Sequence, residues 1–206
     1  MKYLTGILCI VLLLTAHINL SGQRDSRVPT SRQAPGLNHP GRHEMASGVT
    51  PLLPTRWGEG CFYNASCPVD TASHATCLHT PAGAGAVAMA QIMKYYQYPA
   101  HGTGEHGYQH PKYGIQYANF GATSYMWSAM PDSFSALNDG LALLIYQCGV
   151  AQDMNYGTAS SSSLADALDT ALVRYFGYPS SASWKQRSGY SHADWLAMLK
   201  AELDAS

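Results

Sequence analysis

The stretch Gly83-Ala84-Gly85-Ala86-Val87-Ala88-Met89-Ala90-Gln91-Ile92-Met93-Lys94-Tyr95-Tyr96-Gln97-Tyr98-Pro99 decides how this chain folds. From Ala84 to Gln97 it holds no proline and is dense in Ala, Met, Gln and Ile, which predicts a helix. Val87, Ala88, Gln91, Ile92 and Tyr95 recur at helical intervals. Val87, Ile92 and Met93 read as core residues. Gly83 and Gly85 bracket the first turn, and Pro99 supplies the stop.

Three more helical patterns follow. Ala136 to Gly149 places Leu137, Leu141, Leu144, Ile145 and Cys148 on one face. Leu164 to Phe176 is preceded by Ser163, with Asp166 three residues later in a capping relation. Ala193 to Leu203 has Ser191 and Asp194 in the same relation. His101 to Ala122 is rich in Gly and Tyr and reads as loop with short strands, and Cys61 to Leu78 as loop with turns at Asn64 and Pro68.

Towards the amino terminus, Lys2 precedes an almost wholly apolar run from Leu4 to Ala16. The run is short for a membrane span and sufficient for a signal-peptide core, with cleavage expected between Ala16 and Gly22. No cysteine follows Leu20-Ser21-Gly22, so a lipid anchor is not expected. Gln23 to Ser47, rich in Arg, Pro, Gly, Ser and His, reads as a flexible leader. The division is therefore 1–22 signal peptide, 23–47 leader and 48–206 folded domain. The mature product is expected outside the cytoplasm, extracellular or periplasmic, and away from membranes. Twelve basic against thirteen acidic side chains, a net charge of -1, give no electrostatic case for nucleic acid.

Export alters the meaning of the cysteines. Cys61, Cys67, Cys77 and Cys148 remain after signal removal, an even number in an oxidising compartment. Three pairings are possible, and buried free thiols are the alternative.

The Gly83–Tyr96 stretch with Tyr98-Pro99 resembles the streptopain family signature, Gly-Cys-x-Ala-x-Ala-x-Ala-Gln-Ile-Met-Lys-Tyr followed by Tyr-Pro. Further blocks occur in the family's order. Trp57-Gly58-Glu59-Gly60 with Tyr63-Asn64 is similar to its Gln-Gly-x-x-Tyr-Asn block. Tyr125-Met126-Trp127 with Met130-Pro131, then Gly149-Val150 with Asp153-Met154-Asn155-Tyr156-Gly157, then Phe176-Gly177-Tyr178 and Trp195 with Glu202-Leu203 continue the match. The resemblance implies an α+β, papain-like cysteine peptidase fold. It covers mainly the helical lobe, with the central helix starting near Ala84 and the β lobe largely missing.

The chemistry of such a peptidase requires a thiolate. A cysteine at a helix N-terminus gains from the macrodipole and unpaired N–H groups, and a neighbouring histidinium brings a papain-type thiol to a pKa of about 3–4. Three departures oppose activity. Ala84 stands at the nucleophile position. Glu59 stands where the family has its oxyanion-donating glutamine, and an ionised glutamate only accepts. The family's histidine strand would follow the Trp195 helix and is not found before Ser206. Gly83 and Gly85 keep the frame in which substrate backbone approaches.

Other candidates read as structural. His79, five residues before Ala84, is expected to be a loop histidine and His192 a solvated one. His101, Glu105, His106 and His110 have metal-like spacings, but their glycine-rich context argues against a preformed site. Asp153 reads as a turn residue. No metal or cofactor is expected. The resulting expectation is a secreted streptopain-like cysteine endopeptidase homologue, inactive as written, whose family partners are protein or peptide substrates. A secreted non-catalytic peptide- or protein-binding module and the product of a truncated peptidase gene are the alternatives. Self-association through an uncovered lobe face is a further expectation.

Overall fold

A computed structural model describes residues 9–10, 52–133 and 136–204. The expected signal peptide, except Cys9 and Ile10, and the 23–47 leader lie outside these residues. By its internal contacts the chain divides into Met1–Leu12 with Leu53–Ser206 as one unit and Leu13–Leu52 as another. All that follows concerns the first.

Helix α1 spans Ala84–Tyr96 and ends where Gln97 turns left-handed. Its buried face is Ala86, Val87, Met89, Ala90 and Met93. Of the residues read as core, Val87 and Met93 are buried and Ile92 packs partly buried against the core, while Ala86, Met89, Ala90 and Met93, at i, i+3, i+4 and i+7, line the inward face. Small and unbranched side chains let the neighbouring helix approach closely. That neighbour is α2, Asp139–Val150, which buries Leu141, Leu144, Ile145 and Cys148 completely. Each such aliphatic side chain contributes about 1.5–3 kcal/mol by leaving water. The Cys148 thiol sits 3.7 Å from the Met93 sulfur at this contact. Helix α2 starts three residues later than predicted, because the Asn138 side chain caps it by accepting from the Leu141 N–H. Leu137 is therefore outside the helix and exposed.

Helix α3 spans Ala167–Phe176 and buries Leu168, Ala171, Leu172, Tyr175 and Phe176. The predicted Ser163–Asp166 cap does not form. Asp166 is the N-cap and makes no side-chain cap bond, while the Ser163 hydroxyl goes to Gln152 instead. Helix α4, His192–Asp204, does carry its box: Ser191 Oγ donates to Asp194 Oδ2 at 2.7 Å and accepts from the Asp194 N–H at 3.2 Å. Trp195 is the buried residue of α4.

The stretch after α1 forms a hairpin. Strand β2, Glu105–His110, pairs antiparallel with β3, Gly114–Asn119, from Glu105↔Asn119 to His110↔Gly114. Alternate residues of β3, Gln116 and Ala118, turn inward towards α2. The following Phe120 is fully buried against Tyr175 and Phe176, with ring centres 4.7 and 5.3 Å away. Two residues of β1, Cys9–Ile10, pair in parallel with β4, Ser183–Trp184.

Candidate functional site

The start of α1 is assembled from three loops. Its first residue, Ala84, is exposed, while Gly83 and Ala82 before it are buried. Gly83 is the N-cap with φ 90° and ψ 132°, a backbone region that side chains with a Cβ avoid. A Cβ there would also lie 2.6 Å from the sulfur of the fully buried Met154. A Cβ on Gly85 would lie 3.0 Å from both Gln152 Oε1 and Ser163 Oγ. Internal packing thus gives both glycines a reason of their own, apart from any substrate.

Glu59 comes from the first of these loops. Its carbonyl accepts from the Ala82 N–H at 2.9 Å, and its half-buried carboxylate takes the Gly83 N–H. Burial pushes the carboxyl above its ordinary value, and the Gly83 bond opposes that only in part. Glu59 thus lies against the segment leading into α1, whose first turn holds Ala84 and Gly85 after the Gly83 cap.

The loop is fixed behind Glu59 by a disulfide, Cys61–Cys77, with Cα atoms 5.3 Å apart. None of the three two-bridge pairings open to sequence forms: Cys61 and Cys77 are joined, while Cys67 and Cys148 are free and buried. Burial pushes the Cys67 thiol up to about 12 and raises Cys148 as well. Inside the loop, the Asn64 amide donates to Thr76 O at 2.8 Å and to Thr80 O at 3.1 Å. These bonds hold the segment that leads into Gly83.

Residues 68 or more positions after Ala84 complete the back wall. Ser161 Oγ donates to Pro81 O at 2.6 Å, and Gln152 Nε2 donates to Cys148 O at 2.9 Å. Sequence reasoning missed Gln152, Ser161 and Ser163, since nothing local marks a polar residue as the partner of a loop so distant. Only Met154, within the Asp-Met-x-Tyr-Gly block, carried a signal.

The histidines are held separately. His79 Nδ1 lies 2.7 Å from Cys67 O, His106 Nε2 2.7 Å from Asp153 Oδ1, and His110 Nε2 3.2 Å from Asn155 Oδ1. Glu105 accepts from Tyr117 Oη and His101 lies against Ser124. The four residues with metal-like spacing thus face four different partners, and no group of three or more metal-ligating side chains occurs among the described residues. Nor is any helix of the described residues long and apolar enough to cross a membrane.

Residues 57–206 match the model of the Peptidase C10 family. Streptopain of Streptococcus pyogenes is 31% identical over 139 residues, 61% of this chain and 34% of the relative. The thiol protease/hemagglutinin PrtT of Porphyromonas gingivalis is 24% identical over 175 residues, 78% of this chain and 20% of the relative. The active wild-type interpain A cysteine protease of Prevotella intermedia superposes with a TM-score of 0.68 at 30% identity, covering 75% of this chain and 65% of that one. A prointerpain A fragment carrying a Cys-to-Ala mutation gives 0.68 at 31% identity, covering 75% and 51%. The chain spans about a third of the length of the streptopains it matches.

Proposed function

The chain belongs to the Peptidase C10 family, and from that premise we propose that it is an exported, streptopain-like homologue unable to cleave polypeptide as written. Ala84 carries the reading. It is the exposed first residue of α1, between Gly83 and Gly85, where the family pattern has its reactive cysteine. A methyl group has no lone pair with which to attack a carbonyl, so no acyl-enzyme forms there. The other cysteines of the described residues do not replace it. Cys61 and Cys77 are joined, and Cys67 and Cys148 are buried thiols held far from the thiolate form.

Glu59 adds a second obstacle. It stands where the family pattern has its oxyanion-donating glutamine, and an ionised carboxylate there would present acceptors where an oxyanion needs donors. Loss of one such donor costs roughly 10²–10³ in rate. Export is supported by the apolar run after Lys2 and by the Cys61–Cys77 disulfide, which suits an oxidising compartment. Cleavage between Ala16 and Gly22 would remove β1 from its place beside β4.

Incubation of the chain with casein tests the reading, and no fragments are expected. Hydrolysis that co-purifies with the protein would overturn it. The Ala84→Cys variant is also expected to stay at background, because His79, His106 and His110 are each held by other partners and Glu59 remains. Robust cleavage by that variant would show that a histidine already present serves as base and that Glu59 is no obstacle. A second reading, a non-catalytic peptide-binding module, is favoured by the exposure of Ala84 beside two glycines. It predicts retention on an immobilised casein peptide, and unretarded passage counts against it.

A further inference from the structure

The Cys61–Cys77 bridge lies at the surface, with Cys77 exposed and Cys61 partly buried. Five non-glycine residues have positive φ among the described residues, and three of them sit at this bridge: Phe62 at 74°, Cys77 at 58° and Leu78 at 64°. Residues with a Cβ are disfavoured there, and such a cluster persists only where its surroundings hold it in place. Exposure and strain together mark a disulfide as labile. The buried thiols cannot open it from within. Burial keeps Cys67 and Cys148 protonated, and only a thiolate attacks a disulfide. An attacking thiol must come from outside.

The two arms joined by the bridge are anchored differently. On the Cys77 side, Leu78 O accepts from the Asp70 N–H at 2.8 Å, the Leu78 N–H donates to Ser73 O at 3.1 Å, and the Thr80 N–H donates to Pro68 O at 2.9 Å. On the Cys61 side, residues 60–63 span two attachments. One is Asn64, whose amide holds Thr76 O and Thr80 O. The other is Glu59, whose carbonyl and carboxylate take the N–H groups of Ala82 and Gly83. The bridge ties the middle of that span to the anchored arm, two residues from Glu59.

We propose that Cys61–Cys77 is a redox latch: an external low-molecular-weight thiol opens it in the folded protein, and opening releases the hold of Glu59 on Ala82 and Gly83 at the α1 start. The entering thiolate attacks the sulfur of Cys77, forms a mixed disulfide there and breaks the bridge. The Cys61 sulfur leaves as a thiolate and takes a proton from water. A second external thiolate attacks the reductant's sulfur in the mixed disulfide, so that Cys77 leaves and the reductant departs as its own disulfide. Two electrons have then passed from two external thiols to the bridge. Residues 60–63 can leave the left-handed geometry at Phe62, and Glu59 moves with them. The helical core stays, because α1 and α2 meet through Met93 and Cys148, outside this loop. The inference does not rest on the inactivity proposed for the α1 site.

The probe is reduced glutathione in millimolar excess, added to the full chain without denaturant. Iodoacetamide then traps the opened thiols, and amide hydrogen exchange is followed by NMR. Alkylation is expected at Cys61 and Cys77 and not at the buried Cys67 or Cys148. Exchange at the Ala82 and Gly83 amides should quicken by at least about tenfold, since the lost bridge closed a loop between residues 16 positions apart. Amides of α2, such as that of Ile145, should keep their rates. A double variant, Cys61→Ser with Cys77→Ser, should show the fast rates without reductant and no further response to it. If that variant does not fold, the glutathione experiment alone decides. A bridge that yields only in denaturant, unchanged exchange at Ala82 and Gly83 after opening, or equal acceleration throughout α2 would each overturn the proposal.

Discussion

Two carboxylates, Glu59 and Asp70, each tie distant loops together, and their environments push them in opposite directions. Glu59 is half-buried at the α1 start with the Gly83 N–H, and burial raises its pKa. Asp70, with a side chain only 6% exposed, accepts from Lys112 Nζ at 2.8 Å, Tyr113 Oη at 2.5 Å, Thr158 Oγ1 at 2.8 Å and the Ala72 N–H at 2.9 Å. Lys112 first, then the hydroxyls, hold Asp70 well below the usual carboxylate range. Shelter from water sets the direction at Glu59, and the donors aimed at the carboxylate override it at Asp70. The Asp70 junction, joining the 70–73 loop, the β2–β3 turn and Thr158, is a structural staple. The Glu59 position carries an ionisable group that its surroundings support poorly.

The comparison can be broken or sharpened by substitution. The largest effect is expected at the α1 start itself. Gly83→Ala must place a Cβ at φ 90° and against Met154, and should destabilise by roughly 2–4 kcal/mol in denaturant unfolding. A near-neutral result would mean that Met154 repacks and that the glycine is kept for another reason.

Asp70→Asn comes next. It leaves Lys112 without its counter-charge and should lower the thermal midpoint clearly at pH 7. Because the folded pKa of Asp70 is depressed, its contribution is fully present above the unfolded value of about 3.9 and fades as pH falls towards the folded one. The difference between variant and parent should therefore shrink on acidification below about pH 4. A difference independent of pH would show that the hydroxyl bonds, not the charge, do the holding.

Glu59→Gln should give the smallest change and the opposite sign. A raised folded pKa means that the folded state loses ground as pH rises from about 4.3 through the folded value. The glutamine variant should be slightly more stable than the parent at pH 7 and equal to it near pH 4. A less stable variant would show that attraction of the carboxylate to the α1 N-terminus outweighs its desolvation.

Part of this was legible in the chain itself. Helix α1 announces itself by composition and by Pro99, and the Ser191–Asp194 cap by spacing. Val87 and Met93 were readable as core, whereas Ala86 and Ala90 were not, because small side chains give little signal of their own. What selects the face is how closely α2 can approach, and that is not a property of the helix alone. Ser163 shows the same limit. Its spacing from Asp166 fits a cap, yet Gln152 offers a buried carbonyl oxygen that the serine satisfies instead. The candidate site was legible as a set of positions, Glu59, Gly83, Ala84 and Gly85, since ordered blocks preserve it. Its rear wall was not.

The sequence by itself determined what residue 84 can do: an alanine has no nucleophile, and no neighbour alters that. It also determined family and helical framework, because ordered motifs and periodicity are local and survive without coordinates. Only the tertiary structure decided that Cys61 pairs with Cys77, that Glu59 meets Gly83, and that Asp70 and Glu59 titrate in opposite directions. Those outcomes depend on groups brought together from loops far apart along the chain. Distance in space, not separation in sequence, sets both disulfide geometry and the electrostatics of a carboxylate.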